Sequence, residues 1–286
     1  MKFRTIFILF NVVILISFCF VFFFPFFVLG TESSFAFWKG NWYLALFFIL
    51  LLGALNAFFV LNRKVFTLVE REDWAALSAH LSEEILGKGR FRASYVRLLV
   101  NASLLRSDVE CIDRLEAVLF EKKPALLRAN ALLFGVTRLL RNRPAEAEAF
   151  FARYLDAKDV ESREWLRFDY AFSLVLQKRV ADAIPLLKEG CGSRDAVLAL
   201  LSAYLLGSLG AAGASGSERA ELAGLAESSK ARLVSRFDAQ RWSKEVERAK
   251  GEVHIVILSK LIDDAGRWLF APAEVAKPAP GAAKGE

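Results

Sequence analysis

An all-α protein is what this sequence predicts: a transmembrane helical hairpin followed by stacked helix-turn-helix units. Three observations point there. Two uncharged apolar stretches, 6–29 and 41–61, lie close to the N-terminus. Beyond them, apolar residues recur at three and four positions, the period of one helical face, and no window alternates as a half-buried strand would. Third, a small residue followed four positions later by a large apolar one returns at an interval of 36 residues: Cys111 with Leu115, Ala147 with Phe151, Ala183 with Leu187.

The N-terminal hairpin comes first. The chain has 286 residues, 55% hydrophobic with 26 Phe, and the excess is concentrated at its start. A spanning helix needs roughly 20 apolar residues, so 6–29 and 42–61 each qualify, and 1–62 reads as a two-helix anchor. Lys2 and Arg4 before an apolar run resemble a signal peptide, yet 20–27 is bulky where a cleavage site requires small residues. The first segment is therefore expected to be retained. Lys2 and Arg4 flank the first span and Arg63 and Lys64 follow the second, whereas the connection TESSFAFWKGN balances Lys39 against Glu32. The excess of cations places both termini in the cytoplasm of an inner-membrane protein. Trp38, Trp42 and Tyr43 sit where an aromatic belt is expected. Asn11 and Asn56 fall at similar depth in an antiparallel pair; either they bond each other or each satisfies itself on a backbone carbonyl.

After Lys64 the pattern becomes amphipathic. Trp74, Leu77, Leu81 and Ile85 share one face, and Gly87 and Gly89 end it. A repeat domain over 63–236 then alternates apolar and amphipathic helices across short polar turns at 106–108, 141–144 and 177–179. Gly135 stands twelve before Ala147 and Ala171 twelve before Ala183, so small residues face each other across a hairpin and let its backbones approach. Leu99, twelve before Cys111, obeys this less well. One hairpin buries a single face, so stacking on neighbours must complete the core.

The spacing of Tyr170, Ala171 and Leu174 with Ala183, Ile184 and Leu187 resembles the tetratricopeptide (TPR) repeat, as do Gly135, Ala147 and Phe151 one unit earlier. The likeness covers 99–190 well, and 64–87 and 196–236 weakly; an unrelated helical repeat of similar period is the competing reading. A TPR-like α-solenoid implies a concave groove lined by the first helix of each unit. Here those positions are Val96 and Val100, then Leu132, Val136 and Leu139, then Trp165, Phe168, Phe172 and Val175, with Arg97, Arg138 and Arg167 on the same helices. An apolar groove flanked by cations suits an amphipathic partner helix carrying acidic residues. A capping region, 237–270, contains an apolar segment from Val253 to Phe270 that must be buried somewhere, along the groove or elsewhere. The remainder, 271–286, has the Pro, Ala and Lys of a disordered tail.

Little points to chemistry. His80 and His254 each stand alone on a helix, where a surface or boundary role is expected. Gly190 follows an apolar helix where a left-handed C-terminal cap is expected. No phosphate-binding or dinucleotide fingerprint is present. The net charge of +6 is too small and too scattered to argue for nucleic acid. The expectation is a scaffold or adaptor that binds a protein partner in an envelope, secretion or motility assembly, with no catalytic residue, cofactor, metal or small-molecule substrate. Two alternatives stand beside it: a membrane-surface enzyme using Cys191 or Asp263 and Asp264, and a purely structural membrane-complex subunit.

Overall fold

The computed structural model describes residues 3–210 and 216–271, and all regular structure among them is helical. Two compact units divide the chain: 1–90 with 105–107, and 91–104 with 108–286. The proline-rich tail, from 272 on, lies outside the described residues.

The first unit is built on α1 (Phe3–Glu70), which is broken at Gly30 (φ 74°) and bent at Asn41 (φ −124°). Its stretches Phe7–Val28 and Gly30–Glu70 are long and apolar enough to cross a membrane. They run antiparallel: Phe7 meets Phe59 at 5.1 Å, Phe18 meets Phe48 at 6.1 Å and Phe22 meets Trp38 at 4.6 Å between ring centroids. The reversal is sharper than the sequence suggested. Gly30 alone makes it, a conformation open to glycine because it lacks Cβ, and 31–40 is helical rather than a connecting loop. Trp38 stacks on Phe22 across the reversal. Asn11 and Asn56 each donate to the carbonyl four residues back, Phe7 and Leu52, both at 2.9 Å. The second of the two readings of those amides thus holds. α2 (Trp74–Ser82) follows, with a π-helical turn Glu83–Gly87, and buries Leu77, Leu81 and Ile85.

The second unit runs α3 (Ala93–Leu105), α4 (Val109–Lys122), α5 (Pro124–Ala129), α6 (Ala131–Leu140), α7 (Pro144–Ala152), α8 (Arg163–Leu176), α9 (Val180–Cys191), α10 (Ala196–Leu205), α11 (Gly216–Arg236), α12 (Ala239–Ala249), α13 (Val253–Ile257) and α14 (Ser259–Phe270). α10 is apolar all round and buried along its length, from Ala196 to Leu205 apart from Tyr204. A helix of that kind needs cover on every side, and α9, α11 and α14 supply it.

One turn recurs through the chain. Glu72, Ser107, Asn142 and Lys178 adopt φ between 54° and 64°, at intervals of 35, 35 and 36 residues. The following residue closes a six-residue ring each time: Asp73 N to Leu68 O (3.0 Å), Asp108 N to Ser103 O (2.8 Å), Arg143 N to Arg138 O (3.0 Å) and Arg179 N to Leu174 O (3.0 Å). This is the Schellman geometry, reached with non-glycine residues that each bear roughly 1 kcal/mol of left-handed strain. The same residue opens the next helix. Asp73 and Asp108 accept from Ala76 N and Cys111 N, while Pro144 starts α7 in the first helical position.

Counting from these turns corrects the repeat by one residue. Leu77, Ile112, Ala147 and Ala183 are equivalent, so Ile112 rather than Cys111 belongs with Ala147. Their partners twelve earlier are Val65, Val100, Gly135 and Ala171, and all eight are buried. The earlier hairpins therefore pair large residues at the seam and the later two pair small ones. In the tightest, the Phe151 ring lies so close on Gly135 that a Cβ there would overlap it. Gly190 repeats the device instead of capping: it lies inside α9, where a Cβ would strike the Ser202 side chain on α10.

Replacing Gly135 by Ala must push aside a fully buried ring, an overpacking cost of about 1–3 kcal/mol. We expect the melting temperature of the full chain in detergent to fall by several degrees. Gly135→Ala combined with Phe151→Leu should recover part of the loss; a loss unchanged in the double variant would refute the seam.

Candidate binding surface

The residues expected to line a groove form three environments. Val96, Val100, Leu132, Val136, Trp165 and Phe168 are buried, and Leu139, Phe172 and Val175 are half-buried. Each cation is engaged. Arg97 donates to Asn130 Oδ1 at 3.2 Å and pairs with Glu161. Arg138 pairs with Glu116 at 2.8 Å and lies over the Phe150 ring, and Arg167 pairs with Glu189. These side chains serve mostly to pack first helices into the core. The apolar segment after Glu252 divides between two sites: α13 lies on α6, with His254 edge-on to Trp165 at 4.8 Å, whereas α14 packs on α10 and α11.

Beside Phe120, Val234, Val256 and Phe270, three of the exposed large apolar residues follow the turns. Leu105, Leu140 and Leu176 stand three residues before the closing residue of successive turns and are 62%, 49% and 44% exposed. Cations follow them, Arg141 and Arg143 in one hairpin and Lys178 and Arg179 in the next. The 35- and 36-residue intervals between these leucines were the signal in the sequence that could have found them. Contacts between hairpins recur on the same beat: Arg141 reaches Asp113 on α4 at 2.9 Å, and Gln177 reaches Glu148 on α7 at 2.7 Å.

Three buried titratable groups behave differently from one another. Burial pushes the Cys191 thiol up, against an opposing hydrogen bond with Ser229 and the nearby Arg232. Reactive cysteines require the reverse. Asp264 is engaged by Arg267, and no group of three metal-ligating side chains occurs among the described residues. Asp169, in mid-α8, is fully buried with both carboxylate oxygens unpartnered, and burial drives its carboxyl well above the usual range. His254 is 1% exposed, not a surface residue; burial lowers it to about 4, with Asp195 opposing. Trp165 Nε1 donates to that same Asp195 at 2.9 Å, and Asp195 in turn caps α10.

Fold and site together define an all-helical protein with two apolar N-terminal helices and a packed helical second unit. The chain belongs to the family described as "Uncharacterised Treponema protein", which matches residues 111–271, the span from within α4 to the end of α14. A relative from Treponema pallidum (strain Nichols), an "Uncharacterized protein", is 30% identical over 235 residues, which is 79% of this chain and 74% of that protein. No solved structure matches the chain.

The two buried groups predict opposite pH slopes. The unfolded chain protonates His254 near 6.5, but the folded chain protonates it only near 4. Stability is therefore lost as pH falls between those values, by on the order of 3 kcal/mol, and His254→Gln should abolish that part of the slope. Folded Asp169 keeps a proton that the unfolded chain releases above about 3.9, so its contribution weakens as pH rises. Asp169→Asn should raise the melting temperature at pH 7 and leave it nearly unchanged at pH 3.

Proposed function

We propose that this protein is a membrane-tethered, TPR-like helical-repeat adaptor that binds a protein partner at the cytoplasmic face of the inner membrane. The observation that carries the reading is the recurrence of one hairpin. The same strained turn, the same pair of seam positions twelve apart and the same cross-hairpin bond return every 35 or 36 residues. That is how a stack grows by nearest-neighbour contacts. The two apolar helices of α1 serve as the tether, and anchoring raises the effective concentration of the domain against other membrane components. Subunits of an envelope, secretion or motility assembly are the partners that such an adaptor serves. Recognition is favoured over turnover because the Cys191 thiol is buried and raised, and because Asp264 is held by Arg267.

The binding surface we assign is the turn edge rather than the first-helix face. Its apolar contacts are Leu140 and Leu176, whereas Phe168 at 3% exposure is core. A photo-crosslinking residue placed at 140 and at 176 in native membranes should give one adduct of common mass from both positions. With the crosslinker at 140, Leu176→Glu should lower its yield, and with the crosslinker at 176, Leu140→Glu should do the same, each by more than about tenfold without changing the melting temperature, since exposed substitutions cost little. Phe168→Glu should unfold the domain instead. Adducts of unrelated mass at the two sites would overturn the reading. A reporter fused after Phe270 tests the orientation: activity in the periplasm would reverse it.

A further inference from the structure

The second unit holds a cavity of about 500 Å³ where the repeat gives way to its C-terminal cover. Trp165 of α8, Arg194 before α10, Arg236 and Phe237 at the end of α11, Arg248 of α12 and His254 of α13 reach its wall, which also carries the carboxylates of Asp195, Glu245 and Glu252. Neither the hairpin seams nor the exposed leucines make use of it.

Its charges are unevenly spent. Arg248 is held by Glu245 at 2.9 Å, and Asp195 is engaged by Trp165 and by the α10 backbone. Among the described residues Arg194 has no carboxylate within pairing distance, and Arg236 meets only the Phe237 ring, at 5.3 Å. Two guanidiniums thus keep their planar donor forks open to a carboxylate or phosphate. The imidazole of His254 supplies a second and independent sign. Glu252 stands 3.4 Å from its Nδ1, whereas Nε2 is buried with no hydrogen-bond partner. Its ring forms part of the wall here and of a neighbouring space of about 260 Å³. A buried polar atom left unpaired in a packed domain calls for an explanation. Trp165 and Phe237 add two aromatic surfaces beside the cations, and the volume is that of a small-molecule site.

We infer that this cavity binds a small molecule with a planar apolar body and one anionic oxyacid group, a carboxylate or a phosphate monoester. Arg194 and Arg236 hold the anionic group, Trp165 and Phe237 hold the body, and the His254 ring forms the wall beside them. The sequence carried the opposite expectation, that no small molecule binds. The inference is independent of the adaptor reading, because it uses the C-terminal cover and not the turn edge.

His80 and His254 are the two histidines of the chain, so imidazole nitrogen resonances of the ¹⁵N-histidine-labelled full chain in detergent report the site directly. Phenyl phosphate, benzoate and inorganic phosphate are titrated separately at constant ionic strength and pH 7. We expect a saturable shift of His254, with His80 unmoved, for phenyl phosphate or benzoate; the one that acts identifies the anionic group. Arg194→Ala with Arg236→Ala should weaken that binding at least about tenfold, with the unliganded His254 resonance in place as proof that the cavity is still formed. Three results would overturn the inference: no saturable shift up to about 10 mM, an equal response to inorganic phosphate, which marks an adventitious ion only, or undiminished binding by the double variant.

Discussion

The ring of Phe151 lying on the bare backbone of Gly135 is the contact on which the second unit depends. Interiors pack at near-crystalline density, so a ring can occupy that place only if nothing projects from the opposing helix. Ser202 against Gly190 repeats the condition between α9 and α10. Between them, Ala171 and Ala183 keep the α8–α9 seam narrow. The later hairpins are thus held by absence of side chain as much as by its presence. The earlier ones, with Val65 and Leu77 or Val100 and Ile112 at the same positions, fill the seam with branched side chains instead.

Close seams alone would not keep a constant register; the turns do that. Besides Ser162, four non-glycine residues accept a left-handed conformation, at intervals of 35 or 36 residues. A strained backbone persists only where its surroundings over-determine it. Here the surroundings are the six-residue ring closed by the next amide, and the helix which that same residue opens. Because each turn is fixed, the residues a set distance from it take on one role throughout. The position twelve before the small seam residue is buried, the one three before the closing amide is exposed, and the one two before it bonds to the preceding hairpin where its side chain can reach.

Much of this was legible in the sequence. Apolar runs announced the two long helices, and the helical period together with short polar segments placed the turns at 106–108, 141–144 and 177–179, where they lie. The small-residue rule picked out Gly135, Ala147, Ala171 and Ala183. It failed by one residue in the unit of Cys111, because α4 has two adjacent buried residues, Cys111 and Ile112, and spacing alone cannot choose between them. The groove residues were read from a resemblance, and packing assigned most of them elsewhere. An apolar residue on a first helix satisfies either an open groove or a core, and only the tertiary neighbours decide which. His254 and Asp169 could not be ranked at all, since a lone polar residue carries no local sign of how deeply its helix will be buried.

The C-terminal third obeys a different constraint, and the cavity follows from it. α10 is apolar on every side, so a hairpin seam covers only part of it. The chain must return to cover the rest, and it does so with α11 and α14, helices of different length that follow no repeat. Within the repeat, each contact is a copy of the one before, and a good fit once is a good fit throughout. At the junction no such copy exists: α8, the start of α10, the end of α11, α12 and α13 each contribute residues around Trp165 and His254. Five elements converging without a shared register leave space at their centre. Its wall mixes small apolar residues such as Ala196 and Ala249 with charged ones, and the guanidiniums of Arg194 and Arg236 there go unmatched by a carboxylate among the described residues, which is what the proposed site rests on.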